Sequence, residues 1–511
     1  MTATTDPRTD GLCFVDTVRQ IERAAQAGLP VGVLMQRAAR AVAAVAVQRL
    51  RRLPPATPVL VLAGPGNNGA DALLAGLLLT DQGFSVDAVG MPEPASDGPA
   101  ADTEGARVRA AWLARRGPPR PLADTAALLA GRPLVLDGLF GIGLARAVSG
   151  ELAALIAQVN DSGLPVIAVD VPSGLDADRG SIVGGPAGAA VRAEITVTMI
   201  ADKPGLHTGV GRALAGSVVV ATLGAGDIAG SPDASGTDDG ELLTAAFARR
   251  HPLARALDSH KGTHGSLLII GGASTMRGAV LLAATGAQAC GAGKVFLTTP
   301  GEPLFDAGQP QWMTRPWGAS FDGIDAAAIG CGLGTGPEAT QACEQAFASP
   351  LPLVVDADAL NAVAASGDLR QRLCARAAPK VLTPHPLEAA RLLSIDTRQV
   401  QADRIEAARQ LAREFGAVTL IKGAGSVIAD PDGCWAIVDS GSPTLATGGS
   451  GDVLSGMIAA LLAQRLAAPL ALRLAAWHHG HAGELAQRRL PRAVGLAAGE
   501  LAGFVRASLN E

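Results

Sequence analysis

Short apolar runs that stop at Gly, Asp or Asn and give way to Ala/Leu-rich segments recur along the whole 511-residue chain. In the first half such runs occupy 58–63, 133–136, 165–169 and 194–199; in the second, 266–270, 353–355, 380–383 and 418–421. They are apolar at nearly every position rather than at alternate ones, which suits strands of a parallel sheet buried on both faces. The segments between them, for example 17–52 and 148–160, are expected to be covering helices. Alternating strands and helices predict an α/β fold with mostly parallel sheets. One stretch breaks the pattern: residues 226–243 are small, polar and acidic, the composition of a linker. Two α/β domains are therefore expected, 1–225 and 251–511, joined by a linker over 226–250.

Composition excludes several chemistries. The chain has no Tyr, so no phenol can act as acid, base or nucleophile, and only ten Phe and five Trp are available for stacking on bases. A net charge of −5 argues against a nucleic-acid footprint. Six Cys (13, 290, 331, 343, 374 and 434) form no CxxC pair and read as free thiols of a reducing compartment. No run of about 18 apolar residues is present for a membrane span, and the N-terminal stretch lacks a basic-then-apolar signal pattern. A soluble, cytoplasmic protein is expected. Of eight His only His207 falls in the first 250 residues, which leaves acid–base work there to carboxylates or to Lys203.

After the run 58–63 comes Gly64-Pro65-Gly66-Asn67-Asn68-Gly69-Ala70-Asp71. Gly64, Gly66 and Gly69 satisfy a dinucleotide fingerprint, with Asp87 downstream. A pyrophosphate loop uses bare amides, however, and has no need of paired Asn and an Asp, which suit a hard cation or sugar hydroxyls. A tight turn with Asn/Asp caps is the plain alternative. Two further strand ends carry functional groups: Asp137, followed by Gly141-Ile142-Gly143, and Asp170, followed by Ser173. Strand C-termini of a parallel sheet share one edge, where ligands bind. Asn68, Asp137, Asp170 and Ser173 therefore form a constellation that capping explains poorly.

These segments, GPGNNGAD at 64–71, DGLFGIGLAR at 137–146, VDVPSGLD at 169–176 and TMIADK at 198–203, resemble the N-terminal domain of the bifunctional NAD(P)H-hydrate repair enzymes over roughly 17–225. The resemblance implies a Rossmann-like parallel-sheet sandwich that interconverts the C6 epimers of hydrated NADH and NADPH. It implies a potassium ion on Asn68, Asp137 and Ser173. It places substrate contacts on Asn67, Asn68, Gly69, Ala70 and Asp71, on Gly141, Ile142, Gly143, Leu144, Ala145, Arg146 and Ala147, and on Asp170. Inversion at C6 needs proton transfer, which Asp170 can supply; Lys203 is a second candidate or an ion-pair partner. The family usually has Gly where this chain has Ala70 and Ala72. A methyl is tolerated there if the backbone is right-handed helical and is costly if φ is positive.

The second half carries a longer series: His260–Gly265, Gly271–Ser274, an Ala/Gly-rich segment from Gly278, Gly330-Cys331-Gly332-Leu333-Gly334, Asp356–Asn361, Thr383-Pro384-His385, Lys422-Gly423-Ala424 and Thr447–Gly456. In the last, several glycines open onto an apolar helix, so free amides point at whatever lies ahead of it. Such a site holds charge on a transferring phosphoryl group. Asp452, in the first turn, is a candidate catalytic base.

This block, roughly 251–505, resembles the dehydratase domain of the same family, a ribokinase-like α/β domain. The resemblance implies that ADP, with magnesium, phosphorylates the C6 hydroxyl of the (S)-hydrate, giving NAD(P)H, AMP and phosphate. Asp452 would take the hydroxyl proton. Hydrated cofactor would touch Ala279, Gly334, His385 and Asp452, and nucleotide would touch Lys422, Gly423, Ala424, Gly425, Ser426 and Gly451. Cys331 stands where the family usually has Pro, a change expected to affect loop rigidity more than chemistry. His478, His479 and His481 read as a packed, hydrogen-bonded helix end rather than a metal site. The alternatives are a ribokinase-class small-molecule kinase and a non-catalytic first half serving as a binding module. The expected partners are small molecules, with neither nucleic acid nor membrane, and the chain is expected to form a homo-oligomer.

Overall fold

The computed structural model describes residues 10–90, 103–225 and 240–511. It divides into two compact units, Met1–Gly240 and Glu241–Glu511.

In the first unit, a two-residue strand β1 (Gly11–Leu12) precedes the helix Val15–Gly28. Five central and edge strands follow, β2 (Val59–Ala63), β3 (Val86–Gly90), β4 (Leu134–Gly138), β5 (Val166–Val169) and β6 (Ile195–Met199), then β7 (Ser217–Ala221). Their spatial order is β3-β2-β4-β5-β6-β7, all parallel. Val59 and Val61 pack with the helices Val33–Leu50 and Asn67–Asp81 on one face, while Leu60 and Leu62 pack with Gly150–Asp161 on the other. Both faces are buried, which is why the strands read as unbroken apolar runs. The helix expected over 17–52 is two helices, because Pro30 and the left-handed Gly32 (φ 93°) interrupt it. The chain runs from β2 out to β3 and returns to β4 on the opposite side, so the direction of winding reverses between β2 and β4. A crevice opens at the C-terminal ends of strands at such a reversal.

The second unit repeats the logic. Its strands are β8 (Gly240–Leu243), β9 (Ser266–Ile270), β10 (Lys294–Thr298), β11 (Met313–Thr314), β12 (Ala326–Ile329), β13 (Leu353–Val355), β14 (Lys380–Leu382), β15 (Val418–Ile421), β16 (Val427–Ala429) and β17 (Trp435–Val438). They lie in the order β8-β17-β16-β15-β14-β13-β12-β9-β10-β11. Among these described strands only β16 runs antiparallel to both its neighbours. The winding reverses between β9 and β12. The helices Arg277–Ala289, Ser450–Ala463 and Ala468–Arg489 form the large core with one face of the sheet, through Leu267, Ile269, Ala328 and Val354.

The linker expected over 226–250 is shorter than its composition suggested. Residues 226–239 lie outside the described residues. Residues 240–250 are strand β8 and the helix Ala245–Arg250 of the second unit, because Leu242, Leu243 and Phe247 are buried in that unit. Among the described residues no single helix is long and apolar enough to cross a membrane.

Candidate functional sites

In the first unit, the ends of β2, β4, β5 and β6 converge on a cavity of about 720 Å³. Gly64 makes the convergence possible: a Cβ there would lie 1.7 Å from the carbonyl oxygen of Leu139, so only glycine lets the β2 loop close onto the β4 loop. The helix Asn67–Asp81 starts at once, with Asn67 exposed and Asn68 at the cavity wall. The Nδ2 of Asn68 donates to the carbonyl of Phe140 at 3.0 Å, and an added Cβ at Gly141 would lie 3.3 Å from Asn68 Cγ.

Behind that wall, Asp137 is fully buried. Its Oδ1 accepts from the Ser173 hydroxyl at 2.6 Å and from the Leu139 amide at 3.3 Å, and its Oδ2 accepts from the Ser173 amide at 2.8 Å. Burial pushes this carboxyl up to about 6, against the opposing pull of the Ser173 and Leu139 hydrogen bonds. Among the described residues no cationic side chain is bonded to it. The Ser173 hydroxyl touches both the buried Asp137 carboxyl and the Phe140 carbonyl, on which the Asn68 amide also rests, so oxygen donors of the kind a hard cation takes gather here. A single carboxylate among them favours a monovalent ion.

Asp170 sits at the end of β5 in the left-handed region (φ 66°), an uncommon conformation for a residue other than glycine. Its amide bonds to the Val197 carbonyl at 2.8 Å, and its Oδ1 accepts from the Met199 amide at 3.0 Å. Lys203 has no exposed surface, and its Nζ donates to Asp170 Oδ1 at 2.8 Å, to Thr198 Oγ1 at 2.7 Å and to the Met199 carbonyl at 3.0 Å. Lys203 is thus an ion-pair partner of Asp170, completely desolvated and fully bonded.

Asn67, Asn68, Asp71, Asp170 and the stretch Gly141–Arg146 line the cavity. Gly69 and Ala70 are buried behind it, and Ala147 packs against Gly184. Ala70 and Ala72 lie inside the helix Asn67–Asp81 and are absent from the positive-φ positions, so their methyls carry no backbone strain. The Ala70 methyl faces Gly105, where an added Cβ would lie 3.5 Å away. Motif reading missed Glu22 and Glu104, which also line the cavity. They come from helices remote in sequence and belong to no loop pattern.

In the second unit, the ends of β9, β12, β13, β14 and β15 face the start of the helix Ser450–Ala463. Gly449 (φ 94°) turns the chain into that helix, and Asp452 occupies its first turn. Burial raises the Asp452 carboxyl to about 6; the Cys331 thiol, hydrogen-bonded to it, and the charge of Lys422 pull it down, while Asp356 pushes it up. Cys331 is buried and its own thiol is pushed well up by burial and by Asp452. The residue expected to matter for loop rigidity therefore also touches the candidate base.

Lys422 Nζ lies 2.7 Å from Asp356 Oδ1, and the Ser455 hydroxyl donates to Asp356 Oδ2 at 2.5 Å. Burial works against the Lys422 charge, but Asp356 and Glu388 outweigh it and the ammonium is held protonated. An added Cβ at Gly451 would lie 3.3 Å from that ammonium, which puts Lys422 at the amide-rich helix start. Gly330 (φ 122°) packs so tightly that a Cβ would lie 1.8 Å from the Asp356 carbonyl oxygen. Gly332 approaches Ala279, and the Gly334 amide donates to Asp358 at 2.8 Å. His385 caps the helix Pro386–Leu393: its Nδ1 accepts from the amides of Leu387 and Glu388, and its Nε2 lies 3.2 Å from Glu388. Burial lowers its basicity, with Lys422 acting in the same direction. The loop Gly423–Ser426 rests on Arg404, which donates to the Ala424 carbonyl at 3.0 Å. By contrast, the loop 260–265 precedes β9 and so lies at the other edge of the sheet, where Gly265 packs on Ala463.

His478, His479 and His481 lie in the middle of the helix Ala468–Arg489, not at its end. His478 and His481 share the Ser508 hydroxyl, at 2.8 and 3.0 Å, and His479 Nε2 lies 2.9 Å from the Ser450 carbonyl. Among the described residues no group of three or more His, Cys, Asp or Glu is arranged to hold a metal.

The two folds and their sites define a two-domain α/β enzyme: a Rossmann-like sandwich with a carboxylate-lined crevice, and a ribokinase-like domain with a carboxyl at an amide-rich helix start. Residues 31–205 match the family model of the YjeF-related protein N-terminus, and residues 267–502 match that of NAD(P)H-hydrate dehydratase. The bifunctional NAD(P)H-hydrate repair enzyme of Coxiella burnetii is 35% identical over 86% of this chain and 88% of its own length. That of Gloeobacter violaceus is 37% identical over 91% and 92%. The solved ADP/ATP-dependent NAD(P)H-hydrate dehydratase of Bacillus subtilis, co-crystallised with ATP and Mg2+, is 30% identical over 53% of this chain and 97% of that chain, with a TM-score of 0.47. The chain belongs to the family of bifunctional NAD(P)H-hydrate repair enzymes.

Proposed function

We propose that the first unit interconverts the (R) and (S) C6-hydrates of NADH and NADPH, and that the second dehydrates the (S)-hydrate with ADP as phosphoryl donor. The observation that carries the second half is Asp452: a half-buried carboxyl on the first turn of a helix whose free amides, with Lys422 beside them, face the strand ends. Hydroxide is a poor leaving group. Asp452 takes the proton from the C6 hydroxyl, and its oxygen then accepts the terminal phosphoryl group of ADP. The amides of Gly448–Gly451 and the Lys422 ammonium face the charge that develops on that group. Phosphate then leaves C6 with the C–O electron pair and C5 gives up a proton to solvent, which restores the C5=C6 double bond, so the products are NAD(P)H, AMP and phosphate. The Lys422–Ser426 loop and Gly451 bind nucleotide, and Ala279, Gly334 and His385 border the hydrated ring. Magnesium is expected to arrive with the nucleotide, held by its phosphates and water.

In the first unit, Asp170 is the proton-transfer group, oriented by Lys203. The Asp137, Ser173 and Asn68 oxygens fit a potassium ion, because the buried Asp137 carboxyl has no cationic neighbour among its bonded partners. Bound there, potassium would supply a fixed positive charge tying the β2, β4 and β5 loops together. A cytoplasmic location and a homo-oligomeric state belong to the same reading.

The test is to mix both hydrate epimers with ADP and the full chain and to follow the return of NADH absorbance. Conversion of the (R)-hydrate should outpace its spontaneous epimerisation, and inorganic phosphate should equal NADH formed. Accumulation of a phosphorylated hydrate would favour a kinase that keeps the phosphate on its product.

A further inference from the structure

The cavity of the first unit holds a second carboxyl group, on Asp71, whose surroundings differ from those of Asp170. Asp170 has an ammonium and a backbone amide as partners. Asp71, one turn into the helix Asn67–Asp81, has an Oδ1 that is buried and accepts or donates no hydrogen bond. An ionised oxygen so placed would lose its hydration with nothing in exchange, whereas a neutral carboxyl loses far less. The charged groups around it sharpen the contrast. Asp170 faces it from the end of β5, Glu104 from the helix Glu104–Arg116 and Glu22 from the helix Val15–Gly28. Lys203 is spent on Asp170, and Arg109 donates to the carbonyls of Gly64 and Gly66. Arg19 and Arg146 line the cavity as well. Burial first, then Asp170, Glu104 and Glu22, push the Asp71 carboxyl well above the usual range. Burial also raises Glu22 and Glu104.

Resting on the epimerase reading, we propose that Asp71 is the acid of that reaction, delivering the proton that carries the C6 hydroxyl away as water. The C6–O bond breaks with its electron pair on oxygen, which takes the Asp71 proton. The lone pair of the ring nitrogen forms the N1=C6 double bond and leaves a cationic ring. Water then adds to C6 from the opposite face, the N1=C6 electrons return to nitrogen, and the released proton passes to the Asp170 carboxylate. Exchange with solvent returns a proton to Asp71 and removes one from Asp170. A cavity lined by Asp170, Glu22 and Glu104 stabilises a cationic ring, and it disfavours the alkoxide that ring opening would require.

Three measurements on the full chain decide this. In oxygen-18 water, each inversion by the wild-type enzyme should place one solvent oxygen at C6; inverted hydrate that keeps its original oxygen would overturn the proposal. Asp71→Asn should lower the epimerisation kcat by about 100-fold or more with KM little changed, and Asp71→Glu should restore part of it. The wild-type rate should fall as pH rises and Asp71 loses its proton, a limb missing from the residual activity of the Asn variant. An Asn variant within a few fold of wild type would refute the assignment. If that variant does not fold, the isotope result and the wild-type pH limb still decide. A wild-type chain that inverts neither hydrate overturns the epimerase reading itself, an outcome distinct from active inversion with oxygen retained.

Discussion

Replacing Asp452 by Asn should make the second unit more stable while abolishing its dehydratase activity. Burial raises the Asp452 carboxyl from 3.8 to about 6. At about 1.36 kcal/mol for each tenfold change in proton affinity, the folded state carries a penalty of about 3 kcal/mol once the group is ionised. The direction with pH follows from proton counting. Between about pH 4 and 6 the folded chain holds a proton that the unfolded chain has released, so stability falls as pH rises through that window. Below about 4 both states are protonated and the penalty vanishes; above about 6 it is complete. An Asn side chain has the same shape and no charge, so Asp452→Asn should gain up to about 3 kcal/mol at pH 7.5 and nothing near pH 4. For a unit of this size, about 2–4 °C accompanies each kcal/mol, which puts the increase in Tm at up to roughly 6–12 °C. Calorimetry of the full chain at the two pH values, with the dehydratase assay on the same samples, reads both effects. A wild-type rate that falls below about pH 6 completes the test, since the base must be ionised. Equal Tm values at pH 7.5, or retained dehydration by the Asn variant, would refute the reasoning.

Three further outcomes are expected. Exchanging potassium for tetramethylammonium should lower the thermal stability of the first unit at pH 7.5 and slow epimerisation, and Asp137→Asn should abolish the dependence on potassium in both readouts. Lys203→Met should destabilise the first unit by about 3–5 kcal/mol in chemical denaturation, because it strands a buried carboxylate; adding Asp170→Asn should recover part of that loss without restoring epimerisation. Gly330→Ala should abolish dehydration and leave epimerisation intact, as separate assays on each hydrate would show, since the new Cβ would lie 1.8 Å from the Asp356 carbonyl oxygen at a φ of 122°.

Much of this protein was fixed by local sequence. Unbroken apolar runs such as 59–63 and 267–270 suit strands covered on both faces, and the glycine or acidic residue ending each run marks the edge where ligands collect. Asp137 and Asp170 are legible as candidates because each directly follows such a run, and Asp452 because it opens an apolar helix after a glycine-rich turn. Other features depended on packing between segments far apart in the chain. That Lys203 is buried beside Asp170, that Ala70 and Ala72 are helical and unstrained, and that the Cys331 thiol meets Asp452 are all consequences of which strands lie side by side. Glu22 and Glu104 had no local signal, since a carboxylate on an amphipathic helix reads as a solvated face until the helix is placed. For Asp71 the sequence supplied the residue and its place in the β2 loop motif. Only the tertiary structure, by burying its oxygen among three other carboxylates without a partner, decided what that residue can do.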